Sequence, residues 1–386
     1  MNQFSFESNA LITTDEDLVA FCLQLGKCDV MAVDTEFMRE KTYYAKLCLI
    51  QIATPDIAAC IDPFSISDLS PLLTLLFEAQ SIKIFHSARQ DLEIFYDNWQ
   101  KVPQPLFDTQ IAATLLGYSD QIGYANLVQD ILKIQLDKSA SRTDWSQRPL
   151  SEQQVAYALD DVRYLIQLYP IMQQQLNDLG RREWLENDFT ALGNAELYDK
   201  KSADSWKRVS GHGKLQPKQL NILKQLTIWR EDSARKRNKP RKWIISDDVL
   251  HAMIRQPPDT IEKLTKIRGI NTTLVQKDGN EIVNLIKAAK SIPESDWPTI
   301  EPQTRLTPDE DALTDMMLTY LKHIASLQKT SPTALATRKD IEKLAQGDRS
   351  IPLLTGWRKQ MAGDALLELL EGKRTLRIEN GKIQVE

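Results

Sequence analysis

Four apolar residues, Val30, Met31, Ala32 and Val33, run directly into Asp34 and Glu36 in the segment DVMAVDTEF. An apolar run of that length suits a short strand buried on both faces. Side chains two apart on a strand share a face, so the two carboxylates point the same way. Like charges at close range repel and lose their water at a cost, so a fold that buries them needs a compensating cation. Two further acids stand in segments of similar character: Asp91 in HSARQDLEIF and Asp161 in YALDDVRYL. Brought together, these four carboxylates would form a site for divalent metal.

The local patterns say how each acid would be carried. After an apolar strand at Ile82 to Phe85, residues Arg89 to Trp99 place Leu92, Phe95, Tyr96 and Trp99 at spacings of three and four, the pattern of an amphipathic helix. Asp91 falls in its first turn, a position that also suits a partner for the helix dipole. A longer helix is predicted over residues 151 to 178, opened by Ser151 as N-cap with Pro149 just upstream. Its Val155, Leu159, Val162, Leu165 and Ile166 form an apolar stripe. Tyr157 and Asp161 are four apart and share a face.

The order D-x-E, then an Asp shortly after a strand, then Y-x-x-x-D resembles the DEDD superfamily of 3′ to 5′ exonucleases in its tyrosine subclass. The surroundings FHSARQDLEIF, FDTQIAATLLG and SRTDWSQRPLSEQQVAYALDDVRYL look most like the bacterial ribonuclease D family, over essentially the whole chain. His86 to Asp91 also spells the histidine-subclass signature H-x-x-x-x-D, which would leave Tyr157 and Asp161 idle. The resemblance implies an α/β ribonuclease H-like nuclease domain, a mixed sheet with flanking helices, over residues 1–195. It implies catalysis by Asp34, Glu36, Asp91, Tyr157 and Asp161, with the four acids binding two divalent metal ions, Mg²⁺ or Mn²⁺. Oxygen-only anionic ligands suit those hard ions, and paired Cys or His-Cys spacing for zinc is absent. In the family pattern Asp34 bridges both ions, Glu36 and Asp161 bind the one that activates water, and Tyr157 holds that water. Phe37, immediately past the acids, suits either stacking on the terminal base or packing in the core, and His86, at a strand end near the site, is a candidate substrate contact.

Within the nuclease domain, strands are predicted at the segment ending at Glu36, at KLCLIQIAT, at IAACID, at IKIFH and around Phe107. Helices are predicted over residues 70–79, 88–99, 109–117, 123–134 and 151–178. Strands in meander order before the helices suggest a mixed sheet.

The net charge of −5 hides an asymmetry: residues 1–199 carry −15, residues 200–290 carry +12, and the remainder −2. An acidic catalytic part joined to a basic module suits an enzyme that concentrates metal in one place and holds polyanion in another. The basic segment reads as several helices, Pro217 to Arg237, about Asp247 to Ile254, and one after Asp259. Its pattern, W-R-E-x-x-A-R, N-K-P and P-x-T-x-x-x-L, closely resembles an HRDC domain, a nucleic-acid-binding module, here residues 210–292. Ile222, Leu226 and Trp229 are expected in its core. Arg235, Lys236, Arg237, Lys239, Arg241 and Lys242 are expected to meet phosphates, which gives salt-dependent affinity with little sequence discrimination. After a Pro-rich linker at residues 291–308, a divergent second HRDC-like domain is predicted over 305–386, both modules being all-α.

The expected substrate is the 3′ end of RNA, with precursor tRNA as the family's example. A 3′ to 5′ DNA exonuclease is the alternative within the enzyme class, and a catalytically silent nucleic-acid-binding adapter the alternative outside it. Cys22, Cys28, Cys48 and Cys60 show no metal-site spacing and are expected as reduced thiols. With no export-type N-terminus and no apolar run of membrane length, a cytoplasmic protein is expected, and the three-domain layout makes a monomer the expected state.

Overall fold

A computed structural model describes residues 7–137, 143–300 and 305–386. The described chain divides into two compact units. One draws on residues up to Glu36, on Leu47–Ala195 and on residues from 305 onward; the other draws on Phe37–Lys46 and on residues from Glu196 to 300.

The first unit is built on a six-stranded sheet. Strands β1 (Glu7–Ile12), β2 (Val30–Met38), β3 (Lys46–Ala53), β4 (Ile57–Ile61), β5 (Ile82–Phe85) and β6 (Leu106–Asp108) lie in the order β1-β4-β3-β2-β5-β6. Parallel pairs join β1 to β4, β2 to β5 and β5 to β6, whereas β3 and β4 form an antiparallel hairpin, so the sheet is mixed. The hairpin turns at Pro55-Asp56, where Thr54 N donates to Ile57 O. Met31, Ala32 and Val33 are fully buried, as are Leu49, Ile50 and Ile52, which is why these strands read as unbroken apolar runs.

Helices α1 (Asp15–Leu25), α2 (Ser70–Phe77), α3 (Arg89–Trp99), α4 (Thr109–Thr114), α5 (Tyr124–Leu132), α6 (Glu152–Asp178) and α7 (Glu186–Leu192) accompany this sheet. The 27-residue α6 is opened by a complete capping box, Ser151 with Gln154, and buries Val155, Leu159, Val162, Leu165 and Ile166. One difference from the sequence reading lies at the start. The strand ending at Glu36 is the second of the sheet, because residues 7–12 supply an edge strand and Thr14 caps a helix that the sequence reading left unassigned. An edge strand pairs on one side only, and this one carries too weak an apolar pattern to be read without its partner β4.

The second unit is all-helical, with α8 (Pro217–Arg237), α9 (Arg241–Ile244), α10 (Asp247–Arg255), α11 (Ile261–Thr265) and α12 (Thr272–Lys290). Ile222, Leu226 and Trp229 lie in its core, joined by Leu250, Met253, Ile282 and Ile286. Tyr43, from the loop after β2, is part of the same core. The 19-residue α12 has no counterpart among the predicted helices, although Asn271 caps it and its buried positions repeat at helical spacing.

The C-terminal segment contributes α13 (Pro308–Leu327), α14 (Pro332–Leu335), α15 (Arg338–Ala345), α16 (Gly356–Arg358) and α17 (Asp364–Leu370), the last two joined by a π-helical stretch at Lys359–Gly363. These helices bury a core of their own, with Met317, Leu321, Ile341, Leu353 and Leu366 fully or almost fully enclosed. The segment is not wholly helical: β7 (Leu376–Glu379) and β8 (Lys382–Val385) close the chain as an antiparallel hairpin. The turn is Asn380-Gly381, both at positive φ, the two-residue chemistry that favours a tight hairpin.

This segment is joined to the rest of its unit by specific contacts. Arg181, 5% exposed, donates to the carbonyls of Leu115, Gln328 and Lys329. The Trp184 and Trp357 rings stack at 4.9 Å with 4° between their planes. Arg358 lies over Trp357 and donates to Asp188. Among the described residues no helix is long and apolar enough to cross a membrane. The four cysteines are unbridged, three buried and Cys28 half-buried.

Candidate active site

Asp34 and Glu36 extend from the C-terminal half of β2, two residues apart on one face, at the point where the enclosed apolar stretch gives out. Asp161 approaches from α6, whose apolar stripe fixes its rotation against the rest of the fold. One carboxylate oxygen from each of Asp34, Glu36 and Asp161 lies within 4.8 Å of the others. Two segments more than a hundred residues apart thus bring three anionic oxygens together.

Asp91 joins from the first turn of α3, buried, with its Oδ1 accepting from the Thr35 hydroxyl at 2.5 Å. That bond ties the acid of α3 to the strand residue between the other two. The turn that launches α3 is held in its own right. Ser87 sits at φ 61°, and the amides of Ser87 and Ala88 both donate to the buried Asp108, which also caps α4 through Gln110 and Ile111. Thr35 and Asp108 were not singled out in the sequence. The Asp-Thr pair at the head of a helical pattern was a readable cap signal for Asp108, while Thr35 carries none.

The electrostatics of the cluster are those of acids forced together. Burial pushes Asp34 up to about 6, opposed by its bond to the Thr35 amide. Burial, then Asp34, Asp161 and Asp91, push Glu36 up to about 9. Asp161 is raised well above the carboxylate range by burial and by Asp34, Asp160 and Asp91, and Asp91 by burial and Asp34. Every one of these causes is relieved by a cation among the oxygens. Hard anionic donors, with neither thiolate nor imidazole in the set, fit Mg²⁺ or Mn²⁺.

Tyr157 stands one turn before Asp161 on α6, half-buried, with the Trp145 ring 6.1 Å away. Burial and the nearby Asp161, Glu36 and Asp34 raise its phenol above the usual tyrosine value, so at neutral pH it keeps its proton. Trp145 is itself positioned by the segment leading into α6. There Arg148 forms a fork to both oxygens of Asp62, donates to Cys48 O and lies over Phe64. Tyr124, at the start of α5, donates to Asp160 O and fixes that helix against α6 beside the acids.

A cavity of about 250 Å³ opens beside Tyr157 and Asp161, lined also by Gly123, Tyr124, Asn126 and Asp137. It shares Asn126 and Asp137 with a broader depression of about 840 Å³ along Gln129 and Gln135. Tyr157 and Asp161 therefore stand at one end of a groove. His86, at the end of β5, does not present a free ring nitrogen: Nδ1 pairs with Thr109 Oγ1 at 2.9 Å and Nε2 donates to Ile122 O at 3.0 Å. It braces the strand end. Phe37 is half-buried, next along the strand from Glu36.

Two descriptions match the chain at the level of family. Residues 9–177 fit the model of a 3′-5′ exonuclease, and residues 219–286 that of an HRDC domain. The ribonuclease D of Sphingobium indicum is 39% identical over 97% of this chain and 98% of its own length. The ribonuclease D of Bartonella henselae is 36% identical over 97% of this chain and 93% of its own. The chain belongs to the ribonuclease D family. Among solved structures, that of Escherichia coli RNase D, described as an exoribonuclease involved in structured RNA processing, superposes with a TM-score of 0.81. It is 29% identical and covers 95% of this chain and 99% of that one. The chain is thus a ribonuclease D-type 3′-5′ exoribonuclease, a mixed-sheet exonuclease fold followed by a helical HRDC region.

In the HRDC region the six cations expected at phosphates divide into two groups. Arg237 makes a two-pronged pair with Asp278, itself only 6% exposed. Arg235 donates to Tyr43 Oη and Ser202 Oγ, and Arg241 lies 3.8 Å from the buried Glu231. A planar guanidinium fork satisfies several fixed acceptors at once, which is why the arginines are drawn inward. Lys236, Lys239 and Lys242 stay exposed at the surface.

Proposed function

We propose that the chain removes nucleoside 5′-monophosphates one at a time from the 3′ ends of structured RNAs, precursor tRNA among them, by two-metal-ion hydrolysis. The observation that carries this reading is the convergence of Asp34, Glu36 and Asp161 oxygens within 4.8 Å, with Asp91 tied to the same strand by Thr35. Asp34, Glu36, Asp161 and Asp91 would hold the ions, Asp91 completing the set from α3. When bound, a pair of divalent ions lowers the cost of forming a nucleophile from water and neutralises charge on the departing 3′ oxygen.

The chain's own groups supply the remaining work. Tyr157, protonated at neutral pH, orients the attacking water through its hydroxyl and does not act as the base. Asn126 and the amides along the groove offer neutral donors and acceptors to sugar and base. Phe37 supplies an aromatic face to the terminal base. The surface lysines Lys236, Lys239 and Lys242 hold backbone phosphate without reading sequence. In this reading residues 1–195 form the exonuclease domain, 210–292 the HRDC domain and 305–386 a second HRDC-like domain, in a cytoplasmic monomer.

Matched 3′-extended RNA and DNA strands, incubated with Mg²⁺ or with EDTA, test the reading. The expected outcome is release of nucleoside 5′-monophosphates from the RNA, with Mg²⁺ and not with EDTA. Faster trimming of the DNA strand would move the assignment to a DNA exonuclease. Asp34→Ala is expected to abolish hydrolysis while leaving the thermal unfolding of the metal-free protein unchanged or raised, because one of several repelling acids is removed. Near-normal turnover in that variant would place the chemistry elsewhere.

A further inference from the structure

The two other tryptophans that α8 and its neighbouring 3₁₀ turn bring to the HRDC region, Trp206 and Trp229, are each 6% exposed. Trp243 is 61% exposed. A single exposed apolar side chain is ordinary on a protein surface. What sets Trp243 apart is the combination of a fixed backbone and its charged surroundings.

The backbone beneath it is anchored on both sides. Asn238 ends α8 in the left-handed region, at φ 45°, and its Oδ1 accepts from the amides of Tyr43 and Tyr44 at 3.0 and 3.1 Å. Lys239 N donates back to Ala234 O, and Trp243 N to Pro240 O at 2.8 Å. Immediately after it, Ile244 and Ile245 are buried, and Arg230, 2% exposed, donates to Ile245 O and to Asp247. A short helical turn is thereby pinned at both ends while its one indole is turned to solvent. The same turn carries cations: Lys239 and Lys242 are exposed, Lys242 by 72% with Asp247 3.7 Å away, and Lys236 is exposed on the last turn of α8.

We propose that Trp243 is a stacking platform for an unpaired RNA base, with Lys239 and Lys242 holding the adjoining phosphates. The proposal rests on the reading that the chain acts on RNA and adds the residue through which the HRDC region grips a single strand. A rigid aromatic face beside cations suits single-stranded nucleic acid, since every base offers a face to stack and every linkage a negative charge. A protein partner would be expected to cover an apolar patch, and here one ring stands among lysines. Charge complementarity selects the polyanion.

The test is binding of a fluorescein-labelled ten-residue oligouridylate, followed by anisotropy in EDTA so that no hydrolysis intervenes, alongside an otherwise identical strand with abasic residues at its centre. Wild type is expected to prefer the intact strand. Trp243→Ala should weaken binding of the intact strand about tenfold to a hundredfold, leave the abasic strand little changed, and so erase the preference; Trp243→Phe should retain most of it. Lys239→Ala with Lys242→Ala should weaken both strands alike and lower the salt dependence of binding by about 1.4 in log-log slope. Wild-type affinity in Trp243→Ala, or an equal loss on the two strands, overturns the stacking role. A change in oligomeric state in Trp243→Ala without a change in RNA affinity overturns it in favour of a protein contact. If wild type releases no 5′-monophosphate from RNA, the reading of the whole chain falls; if it does and Trp243→Ala binds normally, only this proposal does.

Discussion

Glu36 and its three companion acids make the metal-free protein sensitive to pH in a definite direction. An acid whose pKa is raised on folding binds more protons in the native than in the unfolded state, so it stabilises the fold at low pH and that contribution is lost as pH rises. For Asp34 the loss runs from the ordinary carboxylate value to about 6, and for Glu36 it continues to about 9. The melting temperature of the metal-free protein is therefore expected to fall between pH 6 and 9, and Glu36→Gln to flatten that decline. Burial lowers His86, which works in the opposite sense below its ordinary value, so the difference between wild type and variant is the quantity to compare. Added Mg²⁺ should raise the melting temperature more at pH 8 than at pH 6, because binding then displaces fewer protons. An equal increment at both would mean that the acids are not the ligands. Tyr157→Phe removes one hydroxyl and keeps the ring against Trp145. Turnover should fall about tenfold with RNA affinity retained, the worth of one orienting hydrogen bond of about 1.4 kcal/mol; unchanged turnover would take Tyr157 out of the mechanism. The residue types of this site were readable in the chain because acids that end an apolar strand, or share an apolar helix with a tyrosine, are conspicuous. Thr35 was not, since a threonine in a strand is common and its value comes only from where α3 lands.

Helix α6 shows how much of an element can be read from one segment and where the reading stops. Its cap, its apolar stripe and its two site residues are all in the sequence, and the observed helix begins one residue after the predicted cap. Ser151→Ala removes the hydroxyl that accepts from Gln154 N and half of the capping box. It is expected to cost about 1 kcal/mol of stability in urea unfolding, with little effect on turnover at saturating RNA because the site lies well inside the helix. A large loss of turnover would show that the first turn, and not the apolar stripe, sets the position of Tyr157. The HRDC cations mark the limit. A run of arginine and lysine reads as a phosphate surface, yet Arg237 and Arg235 are committed to Asp278, Tyr43 and Ser202, partners 41, 192 and 33 positions away. Sequence shows the charge of a side chain and not the acceptor it will meet.

At the scale of the molecule, the C-terminal helices depend on contacts that no local pattern encodes. Arg181 serves three carbonyls at once, two of them at the end of α13. Arg181→Ala would leave those buried acceptors unpaired and is expected to cost about 3 kcal/mol, since each orphaned group loses its partner without regaining water. Hydrogen exchange over residues 308–371 should then quicken, while protection in β2 to β5 holds. Uniform loss of protection would mean that the two parts unfold as one. The Trp184 and Trp357 pair contributes to the same attachment and is likewise silent in the sequence.

The sequence by itself determined the order of the acids, the helices and strands that carry them, the mixed character of the sheet and the helical, basic nature of the module that follows. Each of these follows from periodicity, caps and charge within a few turns of chain. Tertiary structure alone decided that oxygens of Asp34, Glu36 and Asp161 come within 4.8 Å of one another, that Thr35 and Asp108 hold Asp91 in place, that residues 7–12 add an edge strand, and that Trp243 stands exposed while Arg237 pairs with Asp278. Those outcomes depend on distances between residues far apart in the chain, and such distances are fixed only when the cores close and every buried donor and charge must find its partner.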